Sequence, residues 1–239
     1  MKKHNDLDLI LVYYNSESIL NYIYENIITI SEIVDNIFII DNGSKDNTYI
    51  KLNNLYQRST NIFVIRLENN LHLGGAIKEG FKLSMSKYIA WSHGDTIIPS
   101  EFYNLAIEQL NRNNYAYIKA LRKNQLLINK IFTFFLSIYA TIFIKTYLRD
   151  ISAYPSICNS NLKDYIINYA PNDYSFDLFS YSLASKLKLK IVRISVMQEM
   201  PSQNPSSWER SVKGYIIMIR LWLKNIIKVN YILKKINKN

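Results

Sequence analysis

Polar side chains able to do chemistry gather behind short apolar runs in this 239-residue chain. Asn15 and Glu17 follow LDLILVYY, Asp41 and Asn42 follow NIFII, and His93 and Asp95 follow YIAWS. A carboxylate such as Asp41 behind an extended run can accept a hydrogen bond from a ligand N–H, or it can cap the Gly43-Ser44 turn that comes next. Asn15 and Glu17 carry a similar pair of readings, because a polar residue ahead of a helix is an ordinary N-cap. Gly74 and Gly75 permit close approach of backbone to an anion, with the helix behind them offering its first amides, or they form a plain loop-to-helix junction. Lys78, one turn further, can reach a phosphate or stay solvated. Arg122, behind the run Tyr115 to Leu121, can pair with a phosphate or sit on the surface beside Lys123.

The elements that must position these residues follow from the apolar pattern. Leu7 to Tyr14, Asn36 to Ile40, Asn61 to Leu67 and Tyr88 to Ser92 read as buried strands. Helical patterns separate them, one running to Ile30 and another from the Gly74-Gly75 pair to Lys87. A β-α-β-α-β-α-β order over about the first hundred residues predicts an α/β fold: a mostly parallel sheet with helices on both faces. In such sheets ligands bind at the carboxyl ends of the strands, so Asn15, Glu17, Asp41, Asn42, His93 and Asp95 are expected on one edge of one pocket. The segment after the first strand reads Tyr13-Tyr14-Asn15-Ser16-Glu17, which disfavours both a dinucleotide-binding G-x-G-x-x-G and a phosphate-binding G-x-x-x-x-G-K-[ST].

Four segments, LVYYNSES, FIIDNGSKDNT, NNLHLGGAIKEGF and YIAWSHGDTIIPSEF, together resemble the family 2 glycosyltransferases of the GT-A fold, in the family's order and spacing. The likeness covers Leu7 to about Glu108. A weaker likeness to the polyprenyl-phosphate sugar synthase branch, such as dolichol-phosphate mannose synthase, runs on through Arg122 and Asp150 to Ser206-Ser207-Trp208. The resemblance implies transfer of a sugar from a nucleotide-diphosphate-sugar, with inversion by direct displacement, to a polyprenyl-phosphate or glycan acceptor in cell-surface polysaccharide biosynthesis. It assigns Asp41 to nucleotide recognition, with Asn15, Glu17, Gly74, Gly75 and Lys78 around the donor, and Arg122 near the acceptor.

His93-Gly94-Asp95 stands where the family carries Asp-x-Asp, the motif for the divalent cation that bridges the donor phosphates. Asp95 and His93 are the metal candidates, and an imidazole is tolerated better by Mn²⁺ than by Mg²⁺. Ile97 stands where the lipid-phosphate branch often places Gln, and the stretch before Trp208 lacks the usual Arg. A hydroxyl acceptor needs a general base, whereas a phosphate acceptor is already ionised. Asp95, Asp150 and Asp173 are the catalytic candidates. Asp173 and Asp177 share a helix face if that helix begins early, and Asp173 fits an N-cap equally well. A non-catalytic, membrane-associated nucleotide-sugar-binding or scaffold protein of the same fold is the alternative.

Two basic, apolar segments carry the net charge of +10. Residues 109–149 hold seven Lys/Arg and no acid, and residues 208–239 hold eight against Glu209, which leaves −4 for the rest. That asymmetry argues for an anionic membrane surface as partner and against a nucleic-acid binder. Ile131 to Ile144 is uncharged for 14 residues between Lys130 and Lys145, short for a crossing and suited to a core or an interfacial helix. Val212 to Ile236 reads as a basic amphipathic helix that lies on anionic lipid or packs on the sheet. One cysteine, Cys158, and a polar start from Met1 to Leu7 fit the cytoplasm, at the inner face of the membrane. The expected organisation is a GT-A domain over 1–207, with a nucleotide-sugar half (1–108) and an acceptor half (109–207), followed by the basic helix in 208–239.

Overall fold

All seven residues of β1 (Leu7–Tyr13) are buried, as a strand covered on both faces requires. Its one charge, Asp8, accepts from Asn36 Nδ2 at 2.9 Å and Ser84 Oγ at 2.7 Å. The computed structural model describes residues 4–124, 126–199 and 212–236. After β1 come α1 (Leu20–Ser31), β2 (Asn36–Asp41), α2 (Thr48–Tyr56), β3 (Ile62–Arg66), α3 (His72–Leu83) and β4 (Tyr88–His93). The second half runs α4 (Ser100–Arg112), β5 (Tyr117–Arg122), α5 (Leu127–Ile144), β6 (Ser156–Asn159), α6 (Lys163–Tyr169), α7 (Phe176–Lys186), β7 (Ile191–Val196) and α8 (Val212–Ile236).

The seven strands form one sheet in the order β3-β2-β1-β4-β6-β5-β7. Only β6 runs against its neighbours, β4 and β5, and every other pairing is parallel. The carboxyl ends of β1, β2, β4 and β5 therefore share one edge, which collects Asp41, His93 and Arg122. The mostly parallel sheet anticipated from sequence is present, and β6 and β7 extend it beyond the strands read there. Helix α3 begins two residues before the Gly74-Gly75 pair rather than behind it, and it ends at Leu83.

Helices α1, α2 and α4 cover one face with Ile23, Ile27, Leu52, Phe102 and Ala106. On the other face Trp91 packs edge-on against Phe176 at 5.7 Å and against Phe81 at 5.5 Å. Helices α3, α5, α6, α7 and α8 complete that second core. Helix α8 contributes Ile226, Val229 and Leu233, all buried, so its C-terminal half packs against α5 and α7 as part of the domain.

Helix α5 spans 18 residues and is long and apolar enough to cross a membrane by length and composition. It turns Leu136, Ala140 and Ile144 to the core and leaves Phe134, Phe135 and Ile142 more than 60% exposed. The stretch Met200 to Trp208, including Ser206-Ser207-Trp208, lies outside the described residues.

Candidate active site

Three loops at the shared edge are stitched together by side chains. Asn15, at φ +48°, donates its backbone N–H to Ser44 Oγ (2.9 Å) and accepts from Lys45 N through Oδ1 (2.8 Å). It bonds across to the β2–α2 loop and does not cap its own helix. Glu17 accepts from Asn47 N and forms an ion pair with Lys51 Nζ at 2.9 Å, and these contacts, Lys51 first, hold its carboxyl below the usual range. Asn42 accepts from Leu71 N at 2.9 Å and donates to Asn70 Oδ1 at 3.2 Å, which closes the β3–α3 loop onto the end of β2. Gly43, at φ +72°, lies where a Cβ would come within 2.7 Å of the Asn69 backbone, so only glycine fits that junction.

Asp41 is fully buried. One carboxylate oxygen accepts from Ser44 N at 3.3 Å, the turn cap foreseen from sequence. The other oxygen has no hydrogen-bond partner among the described residues, with Arg66 Nε 3.8 Å away. A buried carboxylate oxygen left in this state is a hydrogen-bond acceptor waiting for a donor.

Gly74 and Gly75 lie inside the first turn of α3. A Cβ on Gly74 would meet the Pro171 carbonyl oxygen at 2.3 Å, and Gly75 N–H donates to Asn172 O at 2.9 Å. The pair thus lets the 171–176 loop lie directly against the helix start. Lys78 donates to Ala170 O at 3.0 Å, and partial burial lowers its pKa. Asp173 accepts from Ser175 N and Oγ and pairs with Lys228 Nζ at 2.7 Å. Because α7 begins only at Phe176, Asp173 and Asp177 do not share a helix face, and Asp173 caps the turn into α7 while tying it to α8.

The second half of the edge opens into a cavity of about 490 Å³ lined by His93, Asp95, Arg122, Tyr154, Tyr174 and Asp177, with Phe132, Met218, Leu221 and Trp222 from α5 and α8 on its far side. His93 contacts the Tyr154 ring edge-on at 4.5 Å between centroids. Burial pushes its imidazole below the ordinary histidine value, against the opposing pull of Asp95 and Asp177, so the ring is neutral near pH 7. Asp95 accepts from the Thr96 hydroxyl at 3.3 Å. A nitrogen and a carboxylate two residues apart at a strand end are a donor set that could hold a borderline divalent cation such as Mn²⁺. Among the described residues, the one cluster of three side chains close enough to share an ion is His4, Asp6 and Asp35, a surface group remote in sequence from this edge.

Arg122 is oriented by Asp150, which accepts from its Nη2 at 2.7 Å, and by Ser152 Oγ at 2.8 Å. Asp150 is buried at φ +46°. Below them, Asp177 forms a buried ion pair with Lys119 and accepts from Ser156 Oγ at 2.7 Å and Trp91 Nε1 at 3.2 Å. Burial lowers the Lys119 ammonium pKa, and Asp177 opposes that shift. The network joins α7 to β4, β5 and β6. A lysine inside the apolar strand YIKALR and an acid inside FDLFSYSLA were its signals in the sequence.

Gly94 separates the two metal candidates because the Tyr13 ring lies beneath it: a Cβ there would stand 2.3 Å from ring carbons. Gly94→Ala is therefore expected to displace the His93-Asp95 turn and to cost about 1–3 kcal/mol of stability by overpacking. Thermal denaturation beside a metal-binding titration checks it, and an unchanged melting point with unchanged metal affinity would contradict it.

A mostly parallel seven-stranded sheet with its polar edge at the strand carboxyl ends and helices on both faces is a GT-A architecture. The sequence profile of glycosyl transferase family 2 matches residues 8–133, just over half of the chain, and the chain belongs to that family. Among solved structures, glucosyl-3-phosphoglycerate synthase from Mycobacterium tuberculosis with Mn²⁺, UDP and glucosyl-3-phosphoglycerate is similar at 14% identity and TM-score 0.68, over 93% of this chain and 79% of that one. Residues 1–349 of TarS from S. aureus with UDP-GlcNAc are similar at 14% identity and TM-score 0.58, over 92% of this chain and 66% of that one. A comparison with curated protein sequences finds no match.

Proposed function

We propose that this protein transfers a sugar from a nucleotide-diphosphate-sugar to a long-chain lipid phosphate of the polyprenyl-phosphate class, at the inner face of the cytoplasmic membrane, in cell-surface polysaccharide biosynthesis. The observation that carries this reading is the cavity that joins His93, Asp95 and Arg122 to a wall between α5 and α8 in which Phe132, Met218, Leu221 and Trp222 stand beside Asn129, Thr133 and Asn225. A glycan acceptor would present hydroxyls and call for a free carboxylate base. Asp150 is engaged by Arg122, Asp173 by Lys228 and Asp177 by Lys119, so these three acids are poorly placed to take a proton. A phosphate acceptor needs none. The exposed apolar side of α5, with Lys130 within it and Lys145 at its end, supplies a surface on which such a lipid can be met.

On this reading Asp41 accepts from an N–H of the base through its unpartnered oxygen. His93 and Asp95 hold the divalent cation, Mn²⁺ in preference to Mg²⁺. The cation, when bound, neutralises the charge that develops on the departing diphosphate. Arg122 steers the acceptor phosphate. An oxygen of that phosphate attacks the anomeric carbon, the bond to the nucleoside diphosphate breaks with its electron pair on the leaving oxygen, and the configuration inverts. Structures of similar proteins solved with UDP or UDP-GlcNAc support a uridine nucleotide as the first donor to try.

Arg122→Gln tests the acceptor assignment. Loss of one charge-assisted contact to phosphate costs about 1.5–3 kcal/mol, so KM for a polyprenyl phosphate is expected to rise ten- to a hundredfold while donor hydrolysis without acceptor stays near the parent rate. An unchanged KM would remove Arg122 from the acceptor site.

A further inference from the structure

A second cavity, of about 530 Å³, lies where α5 and α7 end, beside the last turn of α8, and nothing in the proposed reaction uses it. Lys145, Lys186 and Lys188 line it together with Thr146 and Ser185, whose hydroxyls bond each other at 2.5 Å, and among the described residues no acid lines it. Lys234 is close enough to act electrostatically on Lys186. Among the described residues none of these four lysines takes part in an ion pair.

Three helix C-termini, those of α5, α7 and α8, face this region, and a lysine beside a helix C-terminus is ordinary. Each such terminus carries about half a negative charge, so the three together offset roughly one and a half of the four lysine charges. The remainder is unbalanced positive charge around a cavity of ligand size. Burial pushes the Lys186 ammonium down, and the neighbouring Lys145 and Lys234 push it further in the same direction, which is the signature of like charges without a counter-ion.

The place in the fold selects the anion. The cavity sits at the end of α5, and Tyr165, Leu183, Leu187, Leu233 and Ile236 line it beside the lysines, so a molecule held here has apolar surface alongside it. We infer that this cavity binds the phosphate of an anionic phospholipid headgroup, with the lysines as its donors. This rests on the membrane contact proposed above, and it gives that contact a defined docking point separate from the acceptor cavity between α5 and α8.

The test uses the full chain with phosphatidylcholine vesicles, with and without phosphatidylglycerol, and follows reductive methylation of each lysine by peptide mass spectrometry. Phosphatidylglycerol vesicles are expected to slow labelling of Lys186 on the order of tenfold, the effect of one close counter-charge on the free-amine fraction. Lys51, on α2 at the opposite face of the sheet, should keep its rate. The triple variant Lys145→Gln, Lys186→Gln, Lys188→Gln should melt as the parent does and lose on the order of a hundredfold in affinity for these vesicles. Replacing the same three with Arg should retain binding. Flotation of the parent on phosphatidylglycerol vesicles without protection of Lys186 would overturn the cavity while leaving the membrane reading intact. Protection by inorganic phosphate alone, with no effect of vesicles, would overturn the lipid as the source of the anion. No flotation and no protection would remove both.

Discussion

Asp95→Asn is expected to reduce sugar transfer by about a thousandfold or more while leaving the fold intact. Among the described residues the Asp95 carboxylate, just past β4, has the Thr96 hydroxyl as its hydrogen-bond partner, so replacement by an isosteric amide breaks no buried hydrogen bond. What it removes is the charged ligand. Neutralising the leaving diphosphate is worth several kcal/mol, and each 1.4 kcal/mol is a factor of about ten in rate. Steady-state turnover and nucleotide titration with Mn²⁺ check this together, the variant retaining its melting point. Near-parental turnover would contradict the assignment of Asp95. The companion change His93→Asp should keep activity and move preference from Mn²⁺ toward Mg²⁺ by exchanging a nitrogen donor for oxygen. Loss of activity with unchanged preference would assign His93 another role, and its contact with the Tyr154 ring is the first place to look.

The largest effect on stability is expected from Lys119→Met. It strands Asp177 in the core with Ser156 and Trp91 as its remaining partners. Breaking a buried pair from one side costs about 3–5 kcal/mol, which for a chain of this length is a fall in melting temperature of roughly 10 °C. The double variant Lys119→Met, Asp177→Leu removes both charges and should regain most of that loss, since apolar replacement of a buried pair is often close to neutral. A single variant that melts within a degree or two of the parent would show that the pair does not fasten α7 to the sheet.

Much of the first half was legible in the sequence because its signals are local. The runs ending at Tyr14, Ile40, Leu67 and Ser92 alternate with helical patterns, and that order alone dictates parallel strands whose polar followers share an edge. Asp41 was readable as both turn cap and ligand acceptor; one oxygen caps the turn at Ser44, and the other has no hydrogen-bond partner among the described residues. The strand β6 was not legible: Ser156-Ile157-Cys158-Asn159 is four residues long, and its place between β4 and β5 depends on partners from distant parts of the chain. Gly74 and Gly75 carried a local expectation of an anion-binding turn, whereas their surroundings come from the loop at Pro171 and Asn172, about a hundred residues away. Gly94 is alike, for its neighbour is the Tyr13 ring. The C-terminal helix was readable as basic and amphipathic, and the burial of Ile226, Val229 and Leu233 shows which apolar residues meet the domain. Exposed apolar residues remain on both α5 and α8, among them Phe134 and Ile142 on the first and Ile217 and Ile227 on the second.

The most direct test of the central claim is a transfer assay with radiolabelled nucleotide-sugars, uridine diphosphate sugars first, supplied with Mn²⁺ and a polyprenyl phosphate in phosphatidylglycerol-containing vesicles. Label is expected in an organic-extractable glycolipid, dependent on Asp95 and with KM for the lipid raised in Arg122→Gln. Nucleotide-sugar binding without turnover on any acceptor, or transfer to soluble glycans with none to the lipid phosphate, would contradict it.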